Sequence, residues 1–214
     1  MPCSFTGAGW KHVLGWDLGF RDDMALVAWG WHPSKRELYE AASWAQSGAK
    51  AEEVMAQIER WEALGFDFVA KVADTGGGGR MYVEDVMSRY SQVFEAAKKT
   101  EKVEHVRLMN DDFLSGRIKV QRGGSYAQEL ATLPKDPDWD PYSGKPHGED
   151  PRFSNHLCDA ALYAWRKALN YLDFLAPEES EDLNDRIERE DEERLTSNPT
   201  TEWWEEGMEY ADEL

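Results

Sequence analysis

The stretch Val13-Leu14-Gly15-Trp16-Asp17-Leu18-Gly19 is an apolar run that leads into one aspartate and ends in a glycine. A second apolar run, Met24–Trp29, follows after a short polar turn. This pattern predicts two neighbouring buried strands. A carboxylate at the end of a buried strand costs free energy unless a cation or hydrogen-bond donors pair with it. Asp17 therefore marks a candidate functional site.

Two further aspartates occupy comparable places in the chain. Asp74 follows the apolar run Phe66–Ala73, and Asp159 lies near the start of a strongly helical segment. If the fold brings both to Asp17, three carboxylates repel one another, and a divalent cation with oxygen ligands relieves that repulsion. His156 lies three residues before Asp159, on the same side of a helix, where it can bind a metal or move a proton.

We therefore predict a metal-dependent phosphodiesterase site with Asp17 as the shared ligand and Asp74 and Asp159 flanking it. Two cations roughly 3.5–4 Å apart would activate the attacking water and stabilise the leaving oxygen. Each acid also has an ordinary structural interpretation, as a turn residue, a capping residue or a first-turn acid favoured by the helix dipole. His156 can likewise be a cap or a surface histidine. The predicted order of elements, which brings the acids together, favours the functional interpretation.

The chain of 214 residues is long enough for one domain with a core plus a tail. We expect a flexible lead-in at 1–11, a folded domain at 12–177 and an acidic, disordered tail at 178–214. The tail carries 16 acids against 3 bases, and the remainder carries 26 acids against 21 bases. A folded part with so few bases lacks the strong basic footprint typical of nucleic-acid binding, so DNA contact would need local basic patches.

No stretch of the sequence has the length of apolar residues that a membrane span needs, and no signal peptide is evident. The only cysteines are Cys3 and Cys158, which predicts a reducing compartment and no disulfide framework.

The hydrophobic pattern predicts three strands, a helix, a strand and then alternating helices and short strands. The strands His12–Leu18, Met24–Trp31 and Glu37–Ala45 are joined by short turns, which favours an antiparallel meander. The helix Ala51–Leu64 leads to the strand Phe68–Ala73, and this passage predicts parallel pairing with the first strand. The further predicted elements are helices at 81–90, 102–115, 126–133 and from about 154–156 to 174, and short strands at 92–96 and 118–120. The order predicts an α/β, ribonuclease H-like fold: a mixed β-sheet of three antiparallel strands and then parallel strands, flanked by helices.

Several other residues have a functional and a structural interpretation. Asp22 and Asp23 are expected in a turn, with an auxiliary metal role as the alternative. Basic residues near the predicted site are candidates for DNA-phosphate contacts, or else belong to a solvated face: Arg80, Lys98, Lys99 and Lys102. A set of tryptophans is expected in the core: Trp10, Trp16, Trp29, Trp31 and Trp44. The proline-rich stretch 134–153 is expected to be a long loop of a length that is commonly functional or mobile.

Over about residues 12–172 the chain resembles the C-terminal nuclease domain of the large terminase subunit of tailed bacteriophages. None of its motifs is decisive alone, and the order and spacing of four segments make the match specific. Those segments, in the order of the family's motifs, are Val13–Gly19 with Asp22 and Asp23, Val72–Gly79, Leu114–Val120 with Gln128–Leu130, and His156–Ala164.

The resemblance implies an endonuclease that cuts concatemeric viral DNA during genome packaging with Mg²⁺ or Mn²⁺. It also implies double-stranded DNA, a portal protein, a small terminase subunit and an ATPase motor as partners, no membrane, and the cytoplasm of the infected bacterial host. The sequence departs from the family in having no Gly-x-x-x-x-Gly-Lys-[Ser/Thr] phosphate loop. We therefore expect either a domain of a larger protein or a motor on a separate chain.

Two alternatives stay open at this point. The chain can be another ribonuclease H-like nuclease, such as a junction resolvase or an exonuclease. It can also be a non-catalytic module that docks on a portal or another partner through its acidic tail, in which Trp203 and Trp204 would make contact.

Overall fold

The structure is a computed structural model, and it describes residues 5–19, 23–35, 37–76, 78–140, 142–143 and 148–172. Its strands are β1 (Lys11–Asp17), β2 (Asp23–Trp31), β3 (Leu38–Ser47), β4 (Phe68–Ala73), β5 (Glu95–Ala96) and β6 (Ile118–Lys119). Its helices are α1 (Ala51–Ala63), α2 (Gly79–Tyr90), α3 (Lys102–Leu114), α4 (Ser125–Thr132) and α5 (His156–Ala168), followed by a 3-10 turn at Leu169–Tyr171.

One mixed sheet with the strand order β5-β4-β1-β2-β3-β6 forms the centre of the fold. Strands β1, β2 and β3 pair antiparallel, as the short turns between them predict. Strand β4 pairs parallel with β1, β5 with β4, and β6 with β3. The predicted α/β class, with a mixed sheet flanked by helices, is confirmed.

Strand β1 is covered on both faces, because successive side chains of a strand point to opposite sides. Leu14 and Trp16 are fully buried in a core cluster that includes residues of α1 and α2. Gly15 and Asp17 alternate with them and face α5, which packs against β1 and β2. The strand therefore separates an apolar core from a face that carries a carboxylate.

Helix α1 makes the crossover between β3 and β4, and its sequence accounts for both of its ends. Glu53 accepts a hydrogen bond from the backbone N–H of Lys50, which satisfies a donor at the start of the helix. Gly65 follows the helix at φ +96°, a conformation that glycine adopts without strain. Ile58 and Trp61 are buried, as the periodicity predicts.

Two details differ from the predicted elements. Helix α5 ends at Ala168 and continues only as a 3-10 turn, and strand β5 has just two residues. Phe5, in the predicted lead-in, stacks on Tyr39 and its carbonyl oxygen lies 2.9 Å from His12 Nε2. The acidic tail lies outside the described residues, so the proposed boundaries at 11/12 and 177/178 stay predictions.

The tryptophans differ in burial. Trp16, Trp29 and Trp31 are buried, whereas Trp10 and Trp44 are half-buried. Within the described ranges, no helix has the length and apolar character that crossing a membrane requires.

Candidate active site

Gly15 determines where α5 crosses the sheet. A Cβ atom at this position would lie 1.9 Å from the carbonyl oxygen of Ala160 and 3.0 Å from Cβ of Ala164. Only glycine allows this close approach of helix and strand. Asp17 lies two residues after Gly15 in β1, and His156 lies one helical turn before Ala160 in α5. The two side chains therefore meet on the same face of the sheet.

Asp17 lies at the end of the central strand and is 6% exposed. Its Oδ2 lies 2.8 Å from Nδ1 of His156, the first residue of α5. This contact joins residues that are 139 positions apart in the chain. It fixes one carboxylate oxygen of Asp17 against the first turn of α5.

Asp74 follows β4 at the same edge of the sheet, because β4 runs parallel to β1. Its backbone N–H donates to the carbonyl oxygen of Trp16 over 2.9 Å, one residue before Asp17. Its Oδ1 accepts a 2.7 Å hydrogen bond from the backbone N–H of Gly76, and its Oδ2 pairs with the ammonium of Lys99. The backbone at Gly76 therefore turns back onto the carboxylate of Asp74.

Asp159 enters the same region from the first turn of α5. Its Oδ1 lies 2.6 Å from Nζ of Lys102, and Lys102 also contacts Oε2 of Glu149 over 2.7 Å. Asn155 donates to the same oxygen of Glu149 over 2.9 Å. Burial raises the pKa of Asp159 to about 6, with Asp17 and Glu149 acting in the same direction and Lys102 opposing them.

Tyr163 lies one helical turn after Asp159 on α5. Burial raises the pKa of its hydroxyl, and the charges of Asp159, Asp17, Asp74 and Glu149 raise it further. All four carboxylates thus act on one phenol that is 5% exposed. Three of the four come from separate parts of the fold: the end of β1, the end of β4 and the start of α5.

The donors suit a hard divalent cation, which prefers carboxylate oxygens. Oδ1 of Asp159 is buried and makes no hydrogen bond of acceptable geometry, although Lys102 lies 2.6 Å away as an ion-pair partner. Across the described ranges, no three His, Cys, Asp or Glu side chains are already arranged as a metal cage. The chemistry of the residues therefore fits a divalent ion, and Lys99 and Lys102 take up part of the negative charge that such an ion would neutralise.

The remaining predicted residues lie in different places. Arg80 is exposed on α2 and pairs with Glu84 over 2.9 Å. Lys98 is exposed, and its carbonyl oxygen accepts a hydrogen bond from Arg166. Asp23 begins β2 and lines a polar cleft of about 380 Å³ together with His156. Asp22 lies outside the described residues. No observation tests the roles of these side chains, which stay predictions.

Sequence reasoning missed Glu149 and Tyr163. Glu149 belongs to the proline-rich loop, where no periodic pattern assigns a direction to a side chain. Tyr163 lies four residues after Asp159, the spacing at which helical side chains share a face. That spacing was the signal by which Tyr163 could have been found.

The sheet order and the carboxylates at its centre define a ribonuclease H-like α/β domain. No protein-family model matches the sequence, and no curated protein sequence matches it.

Solved structures do match, and large terminases and large terminase nuclease domains are among them. The large terminase of one thermophilic bacteriophage superposes with a TM-score of 0.61 at 12% identity, over 79% of this chain and 42% of that one. The large terminase nuclease of another thermophilic phage, G20c, gives 0.58 at 14% identity, over 76% of this chain and 84% of that one. The P22 large terminase nuclease domain gives 0.53 at 16% identity, over 75% and 84% of the two chains.

The G20c nuclease has also been solved with bound magnesium and with bound cobalt. The present chain spans 42% of the length of the first of these large terminases. It spans 84% of the G20c nuclease, whose fold it shares. The predicted resemblance to a terminase nuclease domain is confirmed as a likeness of fold.

Proposed function

We propose that this chain is a metal-dependent DNA endonuclease that cuts concatemeric viral DNA during genome packaging. The observation that carries the proposal is the proximity of three acids from separate parts of the fold. The N–H of Asp74 donates to the carbonyl oxygen of the residue before Asp17, and His156, in the same helical turn as Asp159, lies 2.8 Å from Asp17. The fold shared with terminase nucleases supports it, because a ribonuclease H-like sheet presents its central acids in this arrangement. Magnesium and cobalt in the G20c domain support the use of a divalent ion.

The cofactor we propose is Mg²⁺ or Mn²⁺, with two ions held by Asp17, Asp74 and Asp159. When bound, such ions polarise the attacking water and stabilise the leaving oxygen of the phosphodiester. His156 orients Asp17 through Nδ1, and an imidazole in this position can move a proton. Arg80, Lys98 and Lys102 are our candidates for contacts with the DNA phosphates.

The partners we propose are double-stranded DNA, a portal protein, a small terminase subunit and an ATPase motor domain or chain. The large terminase that this chain matches over only 42% of its length has also been solved with ADP and with ATP-gamma-S, which supports the motor. The proposed place of action is the cytoplasm of the infected bacterium.

The test is nicking of supercoiled plasmid with Mn²⁺ by the full chain and by Asp17→Asn, Asp74→Asn and Asp159→Asn. We expect each substitution to lower the rate by about 10²-fold or more, since each removes a charge that stabilises the transition state. Asp67→Asn is the matched control, because Asp67 lies at the opposite end of β4, where it is exposed and pairs with Lys11.

Undiminished cutting by all three variants would refute the site. Linear duplex, branched DNA and an RNA–DNA hybrid, tested in parallel, separate a packaging endonuclease from a resolvase, an exonuclease or a hybrid-specific enzyme. A wild-type chain that cuts none of these substrates would instead favour a non-catalytic docking module.

A further inference from the structure

The segment 97–101, between β5 and α3, is held in place by hydrogen bonds to its own backbone. The N–H of Ala97 donates to the carbonyl oxygen of Ala73 over 2.8 Å. Nη1 of Arg166, on α5, donates to the carbonyl oxygens of Lys98 and Thr100 over 2.6 and 2.8 Å. Of the two lysines that face the acids, Lys99 therefore extends from this anchored segment and Lys102 directly follows it.

Helix α3 begins at Lys102 with two local features that oppose helix formation. Glu101 has φ +57° and ψ +38°, a left-handed conformation that costs a non-glycine residue roughly 1–2 kcal/mol. Lys102 then places an ammonium in the first turn, where the helix dipole disfavours a positive charge. The contacts of Lys102 with Asp159 and Glu149 offset both costs, so the position of this ammonium depends on those two carboxylates.

The formal charges of the cluster set a limit on how many cations it accepts. Four carboxylates face two ammonium groups, which leaves a deficit of two positive charges when His156 is neutral. One divalent ion closes that deficit. Among the described residues, Asp17 is the one carboxylate of the four without a lysine partner, so a first ion can bind there without displacing an ammonium. A second ion meets a neutral cluster in which Asp159 and Glu149 are already paired.

We propose that Lys102 is an exchangeable counter-ion: it leaves Asp159 and Glu149 when a second divalent ion binds, and its ammonium then contacts a phosphate of the DNA. This inference rests on the proposed nuclease function.

The surroundings of Lys102 allow such an exchange. Its side chain is 33% exposed and carries a point charge on a flexible four-carbon stem. It lines a cavity of about 330 Å³ that Val106, Leu130 and Glu149 also border. The side chain thus has free volume beside it. In this exchange the same ammonium of Lys102 pairs first with Asp159 and Glu149 and then with the DNA phosphate that the sequence predicts as its contact.

Calorimetric titration of the full chain with Mn²⁺, in the absence of DNA, tests the first half of the exchange. We expect two binding events whose dissociation constants differ by more than about tenfold, because the weaker ion competes with Lys102. Lys102→Met keeps most of the stem and should tighten the weaker event by about tenfold. Lys11→Met is the control, since it also removes an ammonium paired with an aspartate but at the opposite end of β1.

DNA binding tests the second half and separates exchange from a general electrostatic effect. With saturating Ca²⁺ as the probe, Lys102→Met should lower the slope of log K against log salt by about one phosphate contact. In EDTA, where the ammonium stays with the carboxylates, the slope should not change. Lys102→Gln gives the same comparison if Lys102→Met unfolds below the assay temperature.

The inference is overturned if Lys102→Met leaves the dissociation constant of the weaker Mn²⁺ event unchanged. It is also overturned if Lys102→Met lowers the salt slope equally in Ca²⁺ and in EDTA, or lowers it in neither. If such a result accompanies Mn²⁺-dependent nicking by the wild-type chain, the inference fails and the nuclease function stands. If the wild-type chain binds no Mn²⁺ and cuts no DNA, the function itself fails.

Discussion

Replacing Gly15 by alanine separates the helix from the sheet at the point where the site is assembled. The added Cβ would lie 1.9 Å from the carbonyl oxygen of Ala160, whereas Cβ atoms essentially never approach another atom to less than 3.0 Å. Helix α5 must therefore move away from the strand by about 1.1 Å. The obstacle is helix backbone, which cannot rotate away as a side chain can. The helix must therefore move as a unit and carry His156 and Asp159 with it.

We expect two consequences of Gly15→Ala. Overpacking between strand and helix should lower the free energy of unfolding by about 2–3 kcal/mol. A displacement of about 1 Å at the first turn of α5 should slow Mn²⁺-dependent nicking by about 10²-fold, even under conditions where the variant stays folded. Urea unfolding measures the first effect, and plasmid nicking at a temperature well below the transition measures the second.

Gly78→Ala is the matched control. Gly78 has φ −79°, and a Cβ there would meet nothing within 4 Å. Its stability should equal or slightly exceed that of the wild type, because alanine reduces the entropy of the unfolded chain. If Gly15→Ala keeps both the wild-type stability and a nicking rate within about twofold, the close approach of α5 does not position the site, and the reasoning from Gly15 is wrong.

Two further predictions concern the core. Burial lowers the pKa of His12 below 6.5. The contribution of the neutral imidazole to stability is therefore complete above about pH 6.5 and is lost as the pH falls through the lowered pKa. The urea midpoints at about pH 7.5 and about pH 5.5 should differ more for the wild type than for His12→Asn. Asp112→Ala leaves the indole N–H of Trp165 without its 3.0 Å acceptor in a buried site, and should destabilise the chain by about 2 kcal/mol in urea unfolding. Asp85→Asn, at an exposed pair with Arg89, should change the stability far less.

The sheet and its order were predictable because they follow from local patterns. Short turns between the first three apolar runs predict an antiparallel meander, and the amphipathic helix Ala51–Ala63 predicts the parallel return of β4 beside β1. Asp17 and Asp74 end neighbouring parallel strands, so their common position at one edge follows from the topology. The helix that begins at His156 was evident from its apolar spacing and its first-turn acid.

The ion pairs around the site were not predictable, because they join distant residues through irregular backbone. Glu149 comes from a loop without periodicity, and its contact with Lys102 spans 47 positions. The lysines near 98–102 were visible as a basic cluster, but which of them face the acids depends on the left-handed turn at Glu101. A short strand at 118–120 was predicted, but the parallel pairing of β6 with β3 has no local signal in two residues.

The bond between Asp17 and His156 also constrains the timing of synthesis. Closing a loop of 139 residues costs roughly 4 kcal/mol of chain entropy, which the packing of α5 on the sheet must offset. When the antiparallel strands β1–β3 and β4 have been synthesised, Asp17 and Asp74 are present, but α5, which carries Asp159, is not. The growing polypeptide therefore lacks the complete carboxylate cluster until the segment that contains residue 159 has emerged from the ribosome.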